Sequence, residues 1–148
     1  MTETGPLARQ LMSIMGNRLL DPWEILLDDP VSELRARCEW AALQWADRLL
    51  GPEANFAIAT IIGALYPGDG PFDPPADWWQ TPLGRVVLLR MGFPGREAVS
   101  YAVAGAMLGV TRQGVHDLVT RGKLARHPDG GVTVTSIRER IQLRGHNT

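Results

Sequence analysis

The sequence predicts a mainly α-helical protein in two parts, with one small β-hairpin in the second part. Apolar residues recur at intervals of three and four through the first 66 residues, which is the spacing of amphipathic helices. Residues 67–76 contain four prolines and two glycines in ten positions, so no regular element is expected there. Two short β-prone segments flank the Asp129-Gly130 step, which favours a hairpin.

Two helices are predicted before residue 30. The first begins near Pro6 with Thr4 as its N-cap. Its apolar stripe consists of Leu7, Leu11, Ile14 or Met15, and Leu19. The second is a short helix that begins with Asp21 as cap and Pro22 at the first helical position, and it ends near Asp28.

Two longer helices follow. The apolar stripe of the third is Val31, Leu34, Cys38, Ala41 and Trp45, and Gly51-Pro52 ends it. Cys38 lies on this stripe, which favours a small core residue over a nucleophile. The fourth helix runs from about Glu53 to Tyr66 and is apolar on most sides, so it is expected to be covered by other helices.

Charge is distributed unevenly along the chain. Residues 1–81 contain 5 Arg against 12 Asp and Glu, a formal charge of −7. Residues 82–148 contain 9 Arg and one Lys against 4 acidic residues, a formal charge of +6. A basic half joined to an acidic half indicates nucleic-acid binding by the basic half alone, and chance variation of solvated surface charge is the alternative.

Several classes of protein are disfavoured by composition. At 148 residues and 45% hydrophobic, the chain is too apolar for a disordered protein. Its apolar stretches are shorter than a membrane span, and its N-terminus lacks the order of a secretory signal. A single cysteine fits a reducing cytosol, so a cytoplasmic location is expected. The three histidines lack metal-ligand spacing and no set of residues suggests catalysis, so we expect no metal, no cofactor and no enzyme.

Residues 100–121 predict two helices joined by a tight turn. Ser100 is the N-cap of the first helix, whose apolar face consists of Val103, Ala104, Met107 and Leu108. Gly109 ends that helix, Val110 is expected to be an apolar plug, and Thr111 caps the next helix. In that second helix, Val115, Leu118 and Val119 are expected to face inward, and Arg112, Gln113, His116, Thr120 and Arg121 outward. Together these elements form a helix-turn-helix.

This stretch resembles the helix-turn-helix of excisionase and MerR-like regulators. The matching positions are Ala104, Leu108, Gly109, Val110, Thr111, Arg112, Val115, Leu118, Gly122 and Leu124. The main departure is Gly105, where alanine is usual. The resemblance extends to residue 143 through a wing made of residues 124–127 and 132–135. A capping box over Ser136–Glu139 then starts a last helix, with Ile137, Ile141 and Leu143 inward.

The resemblance implies a winged helix-turn-helix with a small β-hairpin in the second part of the chain. Together with the helix pattern of the first 66 residues, this predicts a mainly α fold in which an N-terminal helical bundle precedes the winged helix-turn-helix. The resemblance also implies that the second helix of the motif enters the major groove of DNA. The expected base contacts are Thr111, Arg112, Gln113 and His116, since Arg suits guanine and Gln suits adenine. The expected backbone contacts are Ser100, Thr120, Arg121, Lys123, Arg126 and His127. Asp117 is expected to pair with Arg121 one turn later, although a contact with cytosine is an alternative.

We therefore expect an acidic helical domain over residues 1–66, a linker over 67–76 and a basic DNA-binding domain over 77–148. The predicted function is sequence-specific binding of double-stranded DNA as a bacterial, plasmid or phage transcriptional regulator. The alternative is a protein-interaction module, an adaptor or antitoxin-like protein, that uses the helix-turn-helix as a scaffold. No small-molecule ligand is inferred. A homodimer is expected, because three apolar residues lie off the helix stripes of the acidic half: Met12, Leu20 and Trp40. The residues expected to mediate dimerisation are Met12, Met15, Leu20 and Trp40.

Overall fold

The computed structural model describes residues 3–146 and is mainly helical, with a small two-stranded antiparallel sheet. The chain divides between Asp69 and Gly70 into two compact units, here called the first unit and the second unit. The division falls inside the segment predicted as a linker, in which residues 67–75 form no helix or strand. Within the described residues, no helix has both the length and the apolar composition needed to cross a membrane.

The first unit is entirely helical apart from its turns. Its elements are α1 (Thr4–Met15), a π-helical turn (Gly16–Leu20), α2 (Asp21–Leu27), α3 (Ser32–Leu49) and α4 (Ala54–Leu65). Helix α1 packs along α3, and α4 packs against α3 as well. The predicted third helix therefore organises the unit, and Gly51-Pro52 lies just beyond its end.

The helical backbone continues from α1 through the π-helical turn into α2. Neither predicted cap is present: α1 begins with Thr4 already inside it and Glu3 at the N-cap, and Asp21 has helical dihedral angles with no side-chain cap bond. The π-helical turn inserts extra backbone, which rotates the later residues about the helix axis. Leu20 is therefore buried at 1% exposure, and Leu19, which was predicted on the stripe, is 43% exposed.

The buried stripe of α3 is rotated from the predicted one. Its buried residues are Ala42, Ala46 and Leu49, and every member of the predicted stripe from Val31 to Trp45 is only half-buried. Short alanine side chains let α1 and α3 approach closely, so packing favours the alanine face over the face with larger apolar residues. Cys38 is consequently half-buried and not a core residue.

Two expectations about apolar surface in the first unit are wrong. Helix α4 is not covered on all sides, since Phe56 is 66% exposed. Met15 and Leu20, expected to mediate dimerisation, belong to the core, with 8% and 1% exposure, because the π-helical turn carries the α1 stripe onto Leu20. Met12 is half-buried, and Trp40 remains 66% exposed.

The second unit combines helices with the sheet. Its elements are a 3₁₀ turn (Ala76–Gln80), α5 (Pro82–Arg90), β1 (Ala98–Val99), α6 (Tyr101–Leu108), α7 (Arg112–Thr120), β2 (Val132–Thr133) and α8 (Val134–His146). Thr81 caps α5, accepting a hydrogen bond from Gly84 N at 3.1 Å. The core contains Trp79, which is fully buried and lies against Trp78 and Phe93 with ring centroids 4.9 and 4.8 Å away.

The sheet joins β1 to β2, with Ala98 opposite Thr133 and Val99 opposite Val132. The predicted strand over 132–135 ends after Thr133, and its expected partner, 124–127, contributes only a single bridge between Arg126 and Val132. Residues 125–133 still turn back on themselves, because Thr133 N donates to Ala125 O at 2.9 Å. The hairpin is therefore present as a turn, and β1 supplies the paired strand that the sequence did not reveal.

Helix α8 begins three residues earlier than predicted, at Val134 rather than after a cap at Ser136. Thr133 Oγ1 accepts a hydrogen bond from Ser136 N at 3.3 Å, in the manner of an N-cap. The Ser136 hydroxyl instead accepts from Ala125 N and donates to Thr133 O, so it links the hairpin to the helix. The capping box starting at Ser136 is therefore wrong. Ile137 is fully buried as expected, but Leu143 is 60% exposed.

Candidate nucleic-acid interface

Local hydrogen bonds define the turn between α6 and α7. Ser100 Oγ accepts from Val103 N at 3.2 Å, and Thr111 Oγ1 accepts from Gly114 N at 3.0 Å, so both helices carry the predicted caps. Gly109 lies at the end of α6 with φ of 74°, a left-handed conformation that favours glycine. These three residues set the direction in which α7 leaves the turn.

The turn after α6 explains why residue 105 is glycine, where the excisionase and MerR-like pattern usually has alanine. A Cβ atom at this position would lie 2.7 Å from Val110 O, closer than side chains tolerate. Val110 N also donates to Gly105 O at 2.9 Å, so the turn folds directly onto this glycine. Val110 itself is 36% exposed and is therefore not the expected apolar plug.

One face of α7 is exposed along its whole length. Val115 is fully buried, and Leu118 and Val119 are half-buried, so the inward residues are those predicted. Asp117 is exposed on this face, and so is every residue that was predicted to face outward: Arg112, Gln113, His116, Thr120 and Arg121. They combine hydrogen-bond donors and acceptors on a helix whose opposite face is held by the core.

Gln113 and Asp117 interact one turn apart on this face. Gln113 Nε2 donates to Asp117 Oδ1 at 3.2 Å. The expected ion pair between Asp117 and Arg121 is not formed. The amide oxygen of Gln113 and one Nε2 hydrogen stay available, which is the pair of groups that contacts adenine.

Thr120 and His116 are linked along the helix. The Thr120 hydroxyl donates to His116 O at 2.9 Å, so its proton is used within α7. A phosphate oxygen requires a donor, and Thr120 would have to release this bond to supply one. The His116 ring lies near Tyr101 of α6, with ring centroids 6.2 Å apart.

Two predicted DNA-backbone contacts, Arg126 and His127, lie on the hairpin, and they differ in whether their side chains already have protein partners. Arg126 is exposed. His127 Nδ1 accepts a hydrogen bond from Asp129 N at 3.1 Å, and its Nε2 lies 3.7 Å from Glu97 Oε2. Both ring nitrogens of His127 therefore have protein partners, and Arg126 is the stronger candidate for contact with phosphate.

Two groups can be distinguished among the basic residues of the second unit. Arg85, Arg138 and Arg144 donate to backbone carbonyls, at Met107 O, Leu89 O and Leu108 O. Burial, together with the nearby charge of Arg144, lowers the pKa of Arg85. Arg112, Arg121, Lys123 and Arg126 form the other group, here called the four free cations: they are exposed, and within residues 3–144 none of them makes an ion pair.

In the part of the chain that the structure describes, no three His, Cys, Asp or Glu side chains lie close enough together to hold a metal ion. Comparisons with protein-family models, with curated proteins and with solved structures found no match to this chain.

Proposed function

We propose that the second unit is a winged helix-turn-helix that binds double-stranded DNA in a sequence-specific manner. In this proposal α7 enters the major groove, and the turn over residues 125–133 lies beside the sugar–phosphate backbone. The order of elements supports it, since a helix and a strand precede α6 and α7, and β2 returns to pair with that strand. The protein would act without catalysis, as a cytoplasmic transcriptional regulator of a bacterium, plasmid or phage.

The observation that carries the proposal is the exposed face of α7. Arg112, Gln113 and His116 are side chains that hydrogen-bond base edges, and they share one side of a helix whose direction is set by two caps and a left-handed glycine. Thr111 lies at the N-cap of the same helix, where its hydroxyl proton remains available to DNA. The remaining free cations, at Arg121, Lys123 and Arg126, would contact phosphates.

Two copies of the chain are proposed to bind one operator. A single module of this size covers few base pairs, and twofold-related copies contact an inverted repeat with half-sites about one helical turn apart. Of the residues predicted for dimerisation, Trp40 retains an exposed apolar surface, and Leu43 lies one turn later at 48% exposure. The proposed dimer therefore uses this face of α3 and not the buried Met15 and Leu20.

Selection from random DNA tests the function directly. The full chain should enrich a defined motif, and residues 70–148 should retain weaker binding to it, whereas residues 1–69 should bind no DNA. Light scattering of the full chain, alone and with the selected DNA, measures the number of copies. If selection enriches no motif and the chain is not retained on DNA at low salt, the helix-turn-helix serves instead as a scaffold for protein contacts.

A further inference from the structure

Helix α2 is amphipathic, but its acidic side faces the protein and its apolar side faces solvent. Its acidic side chains point toward the protein: Arg35 Nη2 of α3 donates to Glu24 Oε1 at 2.9 Å and to Asp21 Oδ1 at 3.2 Å. Its apolar side chains point away, and none of its residues is buried. The exposed apolar residues are Trp23 (55%), Ile25 (77%), Leu26 (81%) and Leu27 (60%).

Four of the seven residues of α2 are exposed apolar residues. Leu19, which is 43% exposed in the preceding π-helical turn, adds a fifth. Single exposed apolar residues are common, but a cluster of this kind marks an interaction site. The residues Leu19, Trp23, Ile25, Leu26 and Leu27 are here called the α2 patch.

The charge around the α2 patch restricts what can cover it. Residues 21–35 contain five acidic residues and one arginine, a formal charge of −4. Asp28, Asp29 and Glu33 are exposed, and no ion pair within residues 3–144 involves them. The carbonyl end of α2 adds further negative potential beside Asp28.

These charges distinguish the possible occupants. DNA and an anionic membrane surface would both be repelled by the acidic rim. A second copy of α2, related by a twofold axis, would place one segment of charge −4 against another. A cationic partner with its own apolar stripe satisfies both the apolar patch and the acidic rim.

We propose that the α2 patch is a docking site for a basic amphipathic helix of another protein. The apolar stripe of that helix would pack against Trp23 and Leu26, and its lysines or arginines would lie beside Asp28 and Asp29. The proposal concerns the first unit alone and stands whether or not the second unit binds DNA. A regulator with such a site would connect DNA occupancy to a second protein.

A pair of model peptides tests the proposal with the full chain. Each peptide has about 20 residues, long enough to form a helix on docking, with leucines on one face and either lysines or glutamates on the other. Fluorescence anisotropy of the labelled peptides measures binding. We expect the Leu/Lys peptide to bind at micromolar concentration and the Leu/Glu peptide to bind at least about tenfold more weakly.

Two matched variants locate the site. Leu26→Ser removes an apolar side chain from the α2 patch, and Phe56→Ser removes one that is also exposed, from α4. Because neither residue is buried, both variants should fold, which circular dichroism verifies. Leu26→Ser should weaken Leu/Lys binding about tenfold or more, and Phe56→Ser should leave it unchanged. Replacing Asp28 and Asp29 with asparagine should weaken binding and reduce its salt dependence.

Each contrary result overturns the proposal in a different way. Failure of the Leu/Lys peptide to bind, or equal effects of Leu26→Ser and Phe56→Ser, would show that the α2 patch is not the docking site. Equal binding of the Leu/Glu peptide would remove the requirement for a basic partner. A dimer by light scattering that becomes a monomer in Leu26→Ser, but not in Trp40→Ser, would identify a second copy as the occupant.

Discussion

The salt dependence of DNA binding depends on how many basic residues of the second unit are free to contact phosphate and how many are bonded within the unit. Each phosphate neutralised by a cation releases counterions, so the slope of log K against log salt is about −0.9 per contact. If all basic residues of the second unit contributed, the slope would be steep. Arg85, Arg138 and Arg144 instead donate to carbonyls within the unit, and Arg96 pairs with Asp73. Of the four free cations, Arg112 is assigned to a base edge, and we assign phosphate contact to Arg121, Lys123 and Arg126.

Three phosphate contacts give a slope of about −2.7 for each copy, and affinity then falls about 40-fold between 50 and 200 mM salt. Replacing Lys123 with alanine should reduce the slope by about 0.9 and weaken all DNA sequences alike. Arg9→Ala is the matched control, because it removes one exposed cation from the first unit and should change neither quantity.

Fluorescence anisotropy on a labelled duplex, repeated over a series of NaCl concentrations, measures the slope. A slope unchanged by Lys123→Ala, or reduced equally by Arg9→Ala, would refute the assignment of these three cations to phosphate. A slope near twice the single-copy value indicates that two copies bind, and light scattering at the same salt concentrations checks this.

Three further predictions concern specificity and stability. Arg112→Ala should lose about 1–3 kcal/mol on the selected site and relax preference at one or two base pairs, which competition between single-substituted duplexes measures. Gly84→Ala should destabilise the second unit by about 1–3 kcal/mol, because its Cβ would lie 2.1 Å from a backbone oxygen. Gly63→Ala, in open space on α4, should instead stabilise the first unit by up to about 1 kcal/mol. Thermal unfolding of the two variants compares these effects. Arg35 lowers the pKa of Glu24 below its usual 4.5, so this pair stabilises the fold above pH 4.5 and loses its effect as the pH falls. Denaturant unfolding should therefore show Arg35→Gln less stable than the natural chain at pH 7, with the difference shrinking in acid.

Features that depend on a few neighbouring residues were predictable in the second unit. The caps at Ser100 and Thr111 and the left-handed Gly109 each act over three or four residues, so the sequence contains all that they require. The inward and outward faces of α7 follow from helical spacing in the same way. The predicted base-contact residues consequently share one exposed surface with Arg112 at its start.

Other features depended on partners distant in the chain. The two-residue strand β1 is too short to carry a pattern, and it exists because Val132 returns beside Val99. The fold was also needed to identify which arginines are free of protein partners, since Arg144 donates to Leu108 O, 36 residues away in the chain. Only the structure shows why residue 105 is glycine where the excisionase and MerR-like pattern usually has alanine: a Cβ there would lie too close to Val110 O.

The sequence by itself determined that the chain is mainly helical, where most helices end, and which side of α7 is polar. These properties arise from local propensity and from the 3.6-residue period of the helix. Tertiary structure alone decided which apolar residues are buried in the first unit. The π-helical turn rotates Leu20 into the core, and the Arg35 ion pairs hold the acidic edge of α2 inward, so its apolar edge faces outward. Hydrophobic periodicity identifies an apolar face, but only the neighbouring elements determine whether that face meets the core or the solvent.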